Sequence, residues 1–269
     1  MPVDRRSFLT LAAGALATGV LAACGPAGDP TDGADAGLPA DGGPTPTADP
    51  GGAGDGATTT PSAVADTTGT WVVRGPTGTD QVALTFHTDG PTSMVDAVLD
   101  LVEARDLVVT TFIVGSWLEA NPAMGARIVD GGHEIANHTS THPTFEALTP
   151  TQMATEIEGC RAVLEQDTGT PGRWFRPSGT DNGIDSPSAA TLAAAGAAGY
   201  TVIGYDIDPL DYKDPGSKAV IDRTLGTTRG GSIISLHMGH QGTIDALPAI
   251  LDGFEAKGLQ PVSLTTLLG

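Results

Sequence analysis

The chain has 269 residues, 13 basic against 32 acidic side chains and a net charge of −19. That balance excludes nucleic-acid binding, which needs a basic face. The length allows one or two domains, and the composition favours one of about 200 residues, large enough to bury a core without disulfides. Only two cysteines are present, Cys24 and Cys160.

The first residues read as an export signal. Arg5-Arg6-Ser7-Phe8-Leu9 precedes an apolar run from Thr10 to Ala23, a pattern similar to a twin-arginine signal. The run is too short to span a bilayer comfortably. It ends at Leu21-Ala22-Ala23-Cys24-Gly25, which resembles a bacterial lipobox with Cys24 as the lipidated residue. Residues 1–24 are thus expected to be a lipoprotein signal, placing the protein on the outer face of the cell membrane by a lipid anchor. Residues 25–69 are almost entirely Gly, Ala, Pro, Asp and Thr. Such a segment buries too little apolar surface to offset its chain entropy, so it reads as a disordered tether. Cys160, in a helical stretch, reads as a packing residue.

From Trp71 onward, strand-like and helix-like runs alternate. The strands fall at Gln81–Phe86, Leu107–Val114, His133–Asn137, Arg173–Arg176, Thr201–Tyr205, Ser232–Leu236 and Leu259–Ser263. The helices fall at Ser93–Ala104, Pro122–Asp130, Thr149–Glu165, Ser186–Ala198, Ser217–Thr227 and Ile244–Lys257. Thr149 is a plausible N-cap, and Gly131, Gly132, Gly196, Gly199 and Gly258 fall at or after helix ends. This β-then-α order predicts parallel strands with helices outside, over residues 70–269. About seven strands suit either a barrel or a barrel-like open sheet.

Parallel strands would bring their C-terminal ends to one face. Five such ends carry chemistry. They are His87-Thr88-Asp89-Gly90-Pro91, the pair His138 and His142, Arg176-Pro177-Ser178-Gly179, the acidic Asp206-Ile207-Asp208-Pro209-Leu210-Asp211-Tyr212, and His237-Met238-Gly239-His240 after Leu236. Taken singly, each has a plain reading. Asp89-Gly90-Pro91 suits a turn, His237 a core histidine, Arg176 a strand-end arginine and the aspartates a solvated loop. Their joint placement favours a site. His138 and His142, four apart, share a side if the backbone turns helically between them.

The whole set resembles the polysaccharide deacetylase family, the NodB-type carbohydrate esterases, over roughly residues 80–265. The run from Thr111-Phe112-Ile113-Val114-Gly115-Ser116-Trp117 through Gly131-Gly132-His133-Glu134-Ile135-Ala136-Asn137-His138-Thr139-Ser140-Thr141-His142-Pro143 is its most specific part. The resemblance implies an α/β fold, a distorted (β/α)7-type barrel. It implies a hydrolase removing N- or O-acetyl groups from a cell-wall or environmental polysaccharide, with an acetylated glycan as partner. It implies one divalent metal, Zn²⁺ or a similar ion such as Co²⁺, on Asp89, His138 and His142. It makes His237 the catalytic acid, Asp211 its acidic partner and Arg176 part of the third motif. Backbone groups near Ser178 and Gly179, with Tyr212 and Leu236, would surround the substrate and its oxyanion. A monomer is expected.

Where the family has Thr-Phe-Asp-Asp-Gly-Pro, this chain has Thr85-Phe86-His87-Thr88-Asp89-Gly90-Pro91. One residue is inserted and His87 occupies the position of the family's base. Three readings stand. His87 acts as base, or it is an additional metal ligand, or the domain binds metal and sugar as a catalytically degenerate glycan-binding protein.

Overall fold

A computed structural model describes residues 69–180 and 186–269. All belong to one compact unit. The signal, Cys24 and nearly all of the 25–69 tether lie outside the described residues.

Eight strands form one sheet: β1 (Trp71–Val72), β2 (Gln81–Thr88), β3 (Thr110–Ile113), β4 (Glu134–Asn137), β5 (Trp174–Phe175), β6 (Thr201–Ile203), β7 (Ile233–His237) and β8 (Gln260–Val262). Their order is β1-β6-β5-β4-β3-β2-β7, with β8 also on β2, and every pairing is parallel. The helices are α1 (Thr92–Glu103), α2 (Gly115–Ala120), α3 (Ala123–Asp130), α4 (Pro150–Thr168), α5 (Ala189–Ala197), α6 (Ser217–Thr227), α7 (Gln241–Ala256) and α8 (Leu264–Leu268). Short 3-10 turns occupy Phe145–Ala147 and Asp211–Lys213.

The sheet closes where the chain beyond β6 meets β7. Ile207 bridges Ile234, and the amides of Asp206 and Ile207 both donate to the carbonyl of Ile233. Asp206 secures the seam. It accepts from the Ile233 amide at 2.8 Å and the Ser232 hydroxyl at 3.1 Å, and lies 2.9 Å from Arg74 Nε. The sequence left barrel and open sheet undecided, because two isolated bridges, Ile207 to Ile234 and Arg74 to Ser232, decide between them and a bridge has no periodic signature.

Alternation along the strands sorts the core. Ala83, Phe112, Ala136, Trp174, Ile203 and Ile233 point inward and meet Leu264 and Leu267 of α8, which plug one end. Their neighbours Val82, Leu84, Phe86, Ile113, Ile135, Ile234 and Leu236 point outward onto helices. Because side chains alternate with period two, the inward face continues through Thr85 and His87, His138, Arg176, and Ser235 and His237. The chemistry therefore lies on the inward side, at the end opposite the plug.

Most expected elements are present with ends moved by one to three residues, the first strand extending through His87 to Thr88. Thr149 caps α4, accepting from the Gln152 amide while the Gln152 side chain accepts from the Thr149 amide. Gly131 and Gly258 follow helices as expected, whereas Gly196 lies inside α5. The two-residue β1 and the short α2 and α8 have no counterpart in the sequence reading, being too brief for a periodic pattern.

Removing the Asp206 carboxylate leaves the Ile233 amide and the Arg74 side chain without their partner at the closure. Asp206→Ala is expected to cost about 1–3 kcal/mol, read as a lower urea midpoint with an unchanged slope.

Candidate active site

The site is a cavity of about 230 Å³ at the C-terminal ends of the strands, lined among others by His87, Asp89, His138, His142, His237 and His240. It is smaller than the ~300 Å³ lower bound of common ligand pockets, so it admits part of a ligand and leaves the rest outside.

His138 follows β4 and is fully enclosed. Its Nδ1 lies 2.8 Å from the carbonyl of Arg176. A carbonyl only accepts, so Nδ1 carries the proton and Nε2 keeps its lone pair. Nε2 is buried and has no hydrogen-bond partner. An imidazole held from behind by a carbonyl, with its other nitrogen bare, is the usual state of a metal ligand. His142 stands beside it, the ring centroids 5.0 Å apart.

The pair follows the end of β4, and no helical turn joins His138 to His142. The pair is made by a loop in which Thr139 (φ 70°) and His142 (φ 58°) adopt left-handed conformations. Side chains fix that loop. Asn137 Oδ1 accepts from the Thr139 amide at 2.9 Å, and Thr139 Oγ1 accepts from the His142 amide at 3.2 Å. The first amides of α2, at Gly115 and Ser116, donate to the carbonyls of Thr139 and Ser140. A Cβ at Gly115 would come within 3.0 Å of the Cys160 backbone, so this contact needs glycine. Cys160 is the packing residue expected. Its thiol is buried, pushed up to about 12 by burial, and lies 3.3 Å from the Ile113 carbonyl.

His237, at the end of β7, forms a second assembly. Its Nδ1 donates to Asp211 Oδ1 at 2.8 Å. Asp211 is fully buried, and three further donors satisfy it: the His237 amide (2.7 Å), Thr243 Oγ1 (2.6 Å) and the Tyr212 amide (3.0 Å). A buried carboxylate survives only with such partners. It fixes the imidazole with Nε2 free to exchange a proton, the geometry of a general acid or base.

His87 lies between the two assemblies, 4.2 Å from the His138 ring and 4.4 Å from the His237 ring by centroids. Arg176 Nη1 donates to its Nε2 at 3.1 Å. Guanidinium cannot accept, so Nε2 is the acceptor and the ring proton sits on Nδ1. Neither nitrogen keeps a spare lone pair. Burial, and then the neighbouring His138, His237, Arg176 and His142, push this imidazole well below its ordinary range. The occupied lone pair opposes the role of metal ligand that the sequence left open for His87, and both facts oppose the role of base.

Arg176 is buried behind His87 and does not line the cavity. Its other hydrogen bonds reach Thr85, Ser235 and the carbonyls of Ile203 and Gly204. It holds His87 in place through that hydrogen bond. Asp89, Gly179 and Tyr212 line the cavity as expected, and Trp117 Nε1 holds the Asp89 turn by donating to the Gly90 carbonyl at 2.7 Å. Ser178 and Leu236 do not line it. Ser178 Oγ accepts from Thr139 and donates to the Pro143 carbonyl, tying two loops together, while Leu236 points outward into the core by strand parity. Asp208 caps the Leu210 amide. Tyr205, His240, Pro177 and Thr180 complete the wall; of these His240 carried a signal, being a second histidine in the same cluster.

Among the described residues, no group of three or more His, Cys, Asp or Glu side chains is arranged as a ready-made metal site. What supports an ion is narrower: the bare Nε2 of His138, His142 beside it, and Asp89 in the same cavity.

The polysaccharide deacetylase family model matches residues 74–203. A chitooligosaccharide deacetylase of Sinorhizobium fredii is 35% identical over 170 residues, which cover 62% of this chain and 76% of that protein. A peptidoglycan-N-acetylglucosamine deacetylase of Bacillus cereus is 28% identical over 198 residues, covering 72% of this chain and 70% of that protein. Among solved structures, a pseudoenzyme of carbohydrate esterase family 4 from Bacillus anthracis matches with a TM-score of 0.68 at 23% identity, over 74% of this chain and 69% of that one. That last likeness is one of fold.

The buried histidines give a pH dependence. Burial is the first cause lowering His87, His133 and His138. The unfolded chain takes up these protons near pH 6.5, and the folded domain resists them to lower pH. The unfolded state therefore binds more protons below about 6.5, and stability falls as pH falls from there. With chelator present, the urea midpoint is expected to drop between pH 7.5 and 5.5, and His133→Gln is expected to shrink the drop.

Proposed function

The chain belongs to the polysaccharide deacetylase family, and on that premise we propose that this domain removes acetyl groups from an N-acetylglucosamine-type glycan with the help of one divalent cation. The observation that carries the reading is the pairing of two complementary assemblies across one cavity. On one side stands His138 with its bare Nε2 beside His142. On the other stands His237 held by buried Asp211.

His138 and His142, with Asp89, are the residues that would hold the ion, and two imidazoles with a carboxylate suit Zn²⁺. When bound, such an ion supplies Lewis-acid polarisation of the acyl oxygen and a more acidic water. The chain's own residues do the rest. Asp211 holds His237 by its protonated Nδ1, so His237 Nε2 can take the proton released by the attacking water and deliver it to the departing sugar nitrogen or oxygen. Arg176 fixes His87 with its Nδ1 proton in place, so His87 acts as a hydrogen-bond donor there. The export signal and Cys24 lipobox would hold this domain outside the cell membrane, within reach of wall glycan.

One observation favours a second reading, a glycan-binding protein with little turnover. His87 stands where the family has its base, and its single lone pair is taken by Arg176. A carboxylate there would differ. It has lone pairs enough to accept from Arg176 and still take a proton from water. His87→Asp is therefore expected to raise the rate of acetate release from chitotetraose about 10²-fold or more with Zn²⁺ present. A wild type already as fast as this variant would return the base role to His87. His138→Ala is expected to abolish Zn²⁺ binding in titration calorimetry; retained binding would remove His138 from the ligand set. Failure of both wild type and His87→Asp to release acetate, with sugar binding intact, would leave the glycan-binding reading.

A further inference from the structure

The chain carries two His–Asp pairs in tandem, and the proton-delivery scheme uses only one. Asp211 and Asp214 are three residues apart, and so are their partners His237 and His240. The inner pair is enclosed, its side chains 16% and 0% exposed. The outer pair stands at the cavity mouth, His240 27% and Asp214 70% exposed. His240 Nδ1 donates to Asp214 Oδ1 at 2.9 Å. As with His237, a carboxylate holds the ring from behind and leaves Nε2 available. The His240 ring lies 5.9 Å from the His237 ring and belongs to the cavity wall.

The backbone is shaped to present both pairs. The 3-10 turn Asp211–Lys213 is flanked by Leu210 (φ 57°) and Asp214 (φ 49°), both left-handed. Non-glycine residues in that region cost about 1–3 kcal/mol each and persist where the surroundings impose them. Here the turn sends Asp211 inward to His237 and Asp214 outward to His240. His240 is itself fixed as the residue preceding α7.

We propose that His240, held by Asp214, is a substrate-contacting residue that hydrogen-bonds the sugar unit adjoining the one being deacetylated, and that the unit it receives is uncharged. The cavity is too small for a glycan chain, so the adjoining unit must lie at its mouth, where His240 stands. The neutral preference follows from the carboxylate there, Asp214, which is largely exposed beside His240. Lys213, from the same turn, sits over the Tyr212 ring at 5.3 Å. A sugar hydroxyl or amide can exchange a hydrogen bond with His240 Nε2, whereas a substrate carboxylate would meet Asp214 without a cation paired to it. The inference rests on the deacetylase reading for the position of the reacting sugar.

The test compares wild type, His240→Ala and Asp214→Asn, each checked for an unchanged melting transition. Chitotetraose binding is measured by calorimetry, and acetate release from chitotetraose and from a muramic-acid-containing, carboxylate-bearing fragment by steady-state kinetics. His240→Ala is expected to weaken Kd and raise KM for chitotetraose about tenfold, the worth of one good hydrogen bond, with kcat within about twofold. Asp214→Asn is expected to shift the kcat/KM ratio towards the carboxylate-bearing fragment. Unchanged Kd and KM in His240→Ala would overturn the proposal. So would a fall in kcat alone, which would place His240 in proton delivery. Wild type that binds chitotetraose without releasing acetate removes the deacetylase reading, and the calorimetry still decides the role of His240. Wild type that does neither overturns both.

Discussion

One buried guanidinium ties the site together. Arg176 follows β5 and is 2% exposed. It donates to the Ile203 and Gly204 carbonyls on one side, to Thr85 and Ser235 on another, and to His87 towards the cavity. Its own carbonyl accepts from His138. Its plane lies over Phe112 at 4.0 Å and Tyr205 at 5.1 Å. Strands β2, β6 and β7, the end of β4 and the ring of Phe112 on β3 are thereby referred to one rigid fork. Lysine could not do this, because an ammonium is a point charge and lacks the planar set of donors.

That position has an electrostatic consequence. Burial lowers Arg176 to about 9, a sign of how poorly its charge is solvated. Each of these hydrogen bonds goes to a neutral group. The histidines around it answer in the same sense, His87 and His138 being pushed well down by burial and by one another. His138 is thus kept neutral, and so ready to donate its free lone pair to a cation, by the same enclosure that makes the guanidinium costly. Asp211 is the exception, an enclosed carboxylate with four donors.

The resemblance to the family puts His87 where its members carry a carboxylate. An imidazole can accept one hydrogen bond from Arg176 and then has no lone pair left for chemistry. The substitution keeps the architecture, since Arg176 still has a partner and the strand still packs, while changing what the position can do. Fold likeness cannot see such a change, because hydrogen-bond capacity lies in one side chain and the fold in many.

The sequence by itself determined the parallel α/β class, the strand ends that carry chemistry, and the parity that turns His87, His138, Arg176 and His237 to one side. These follow from local periodicity and from alternation along single strands. It also named the His138–His142 pair, and the family resemblance added His237 with Asp211. Only the tertiary structure decided the rest. It closed the sheet through Ile207 and Ile234 and brought His138 and His142 together by a loop with two left-handed residues. It put Leu236 in the core, spent the Ser178 hydroxyl on loop packing, and gave the His87 lone pair to Arg176. The Ser178 and His87 outcomes depend on partners 35 to 89 residues away, which no local pattern records.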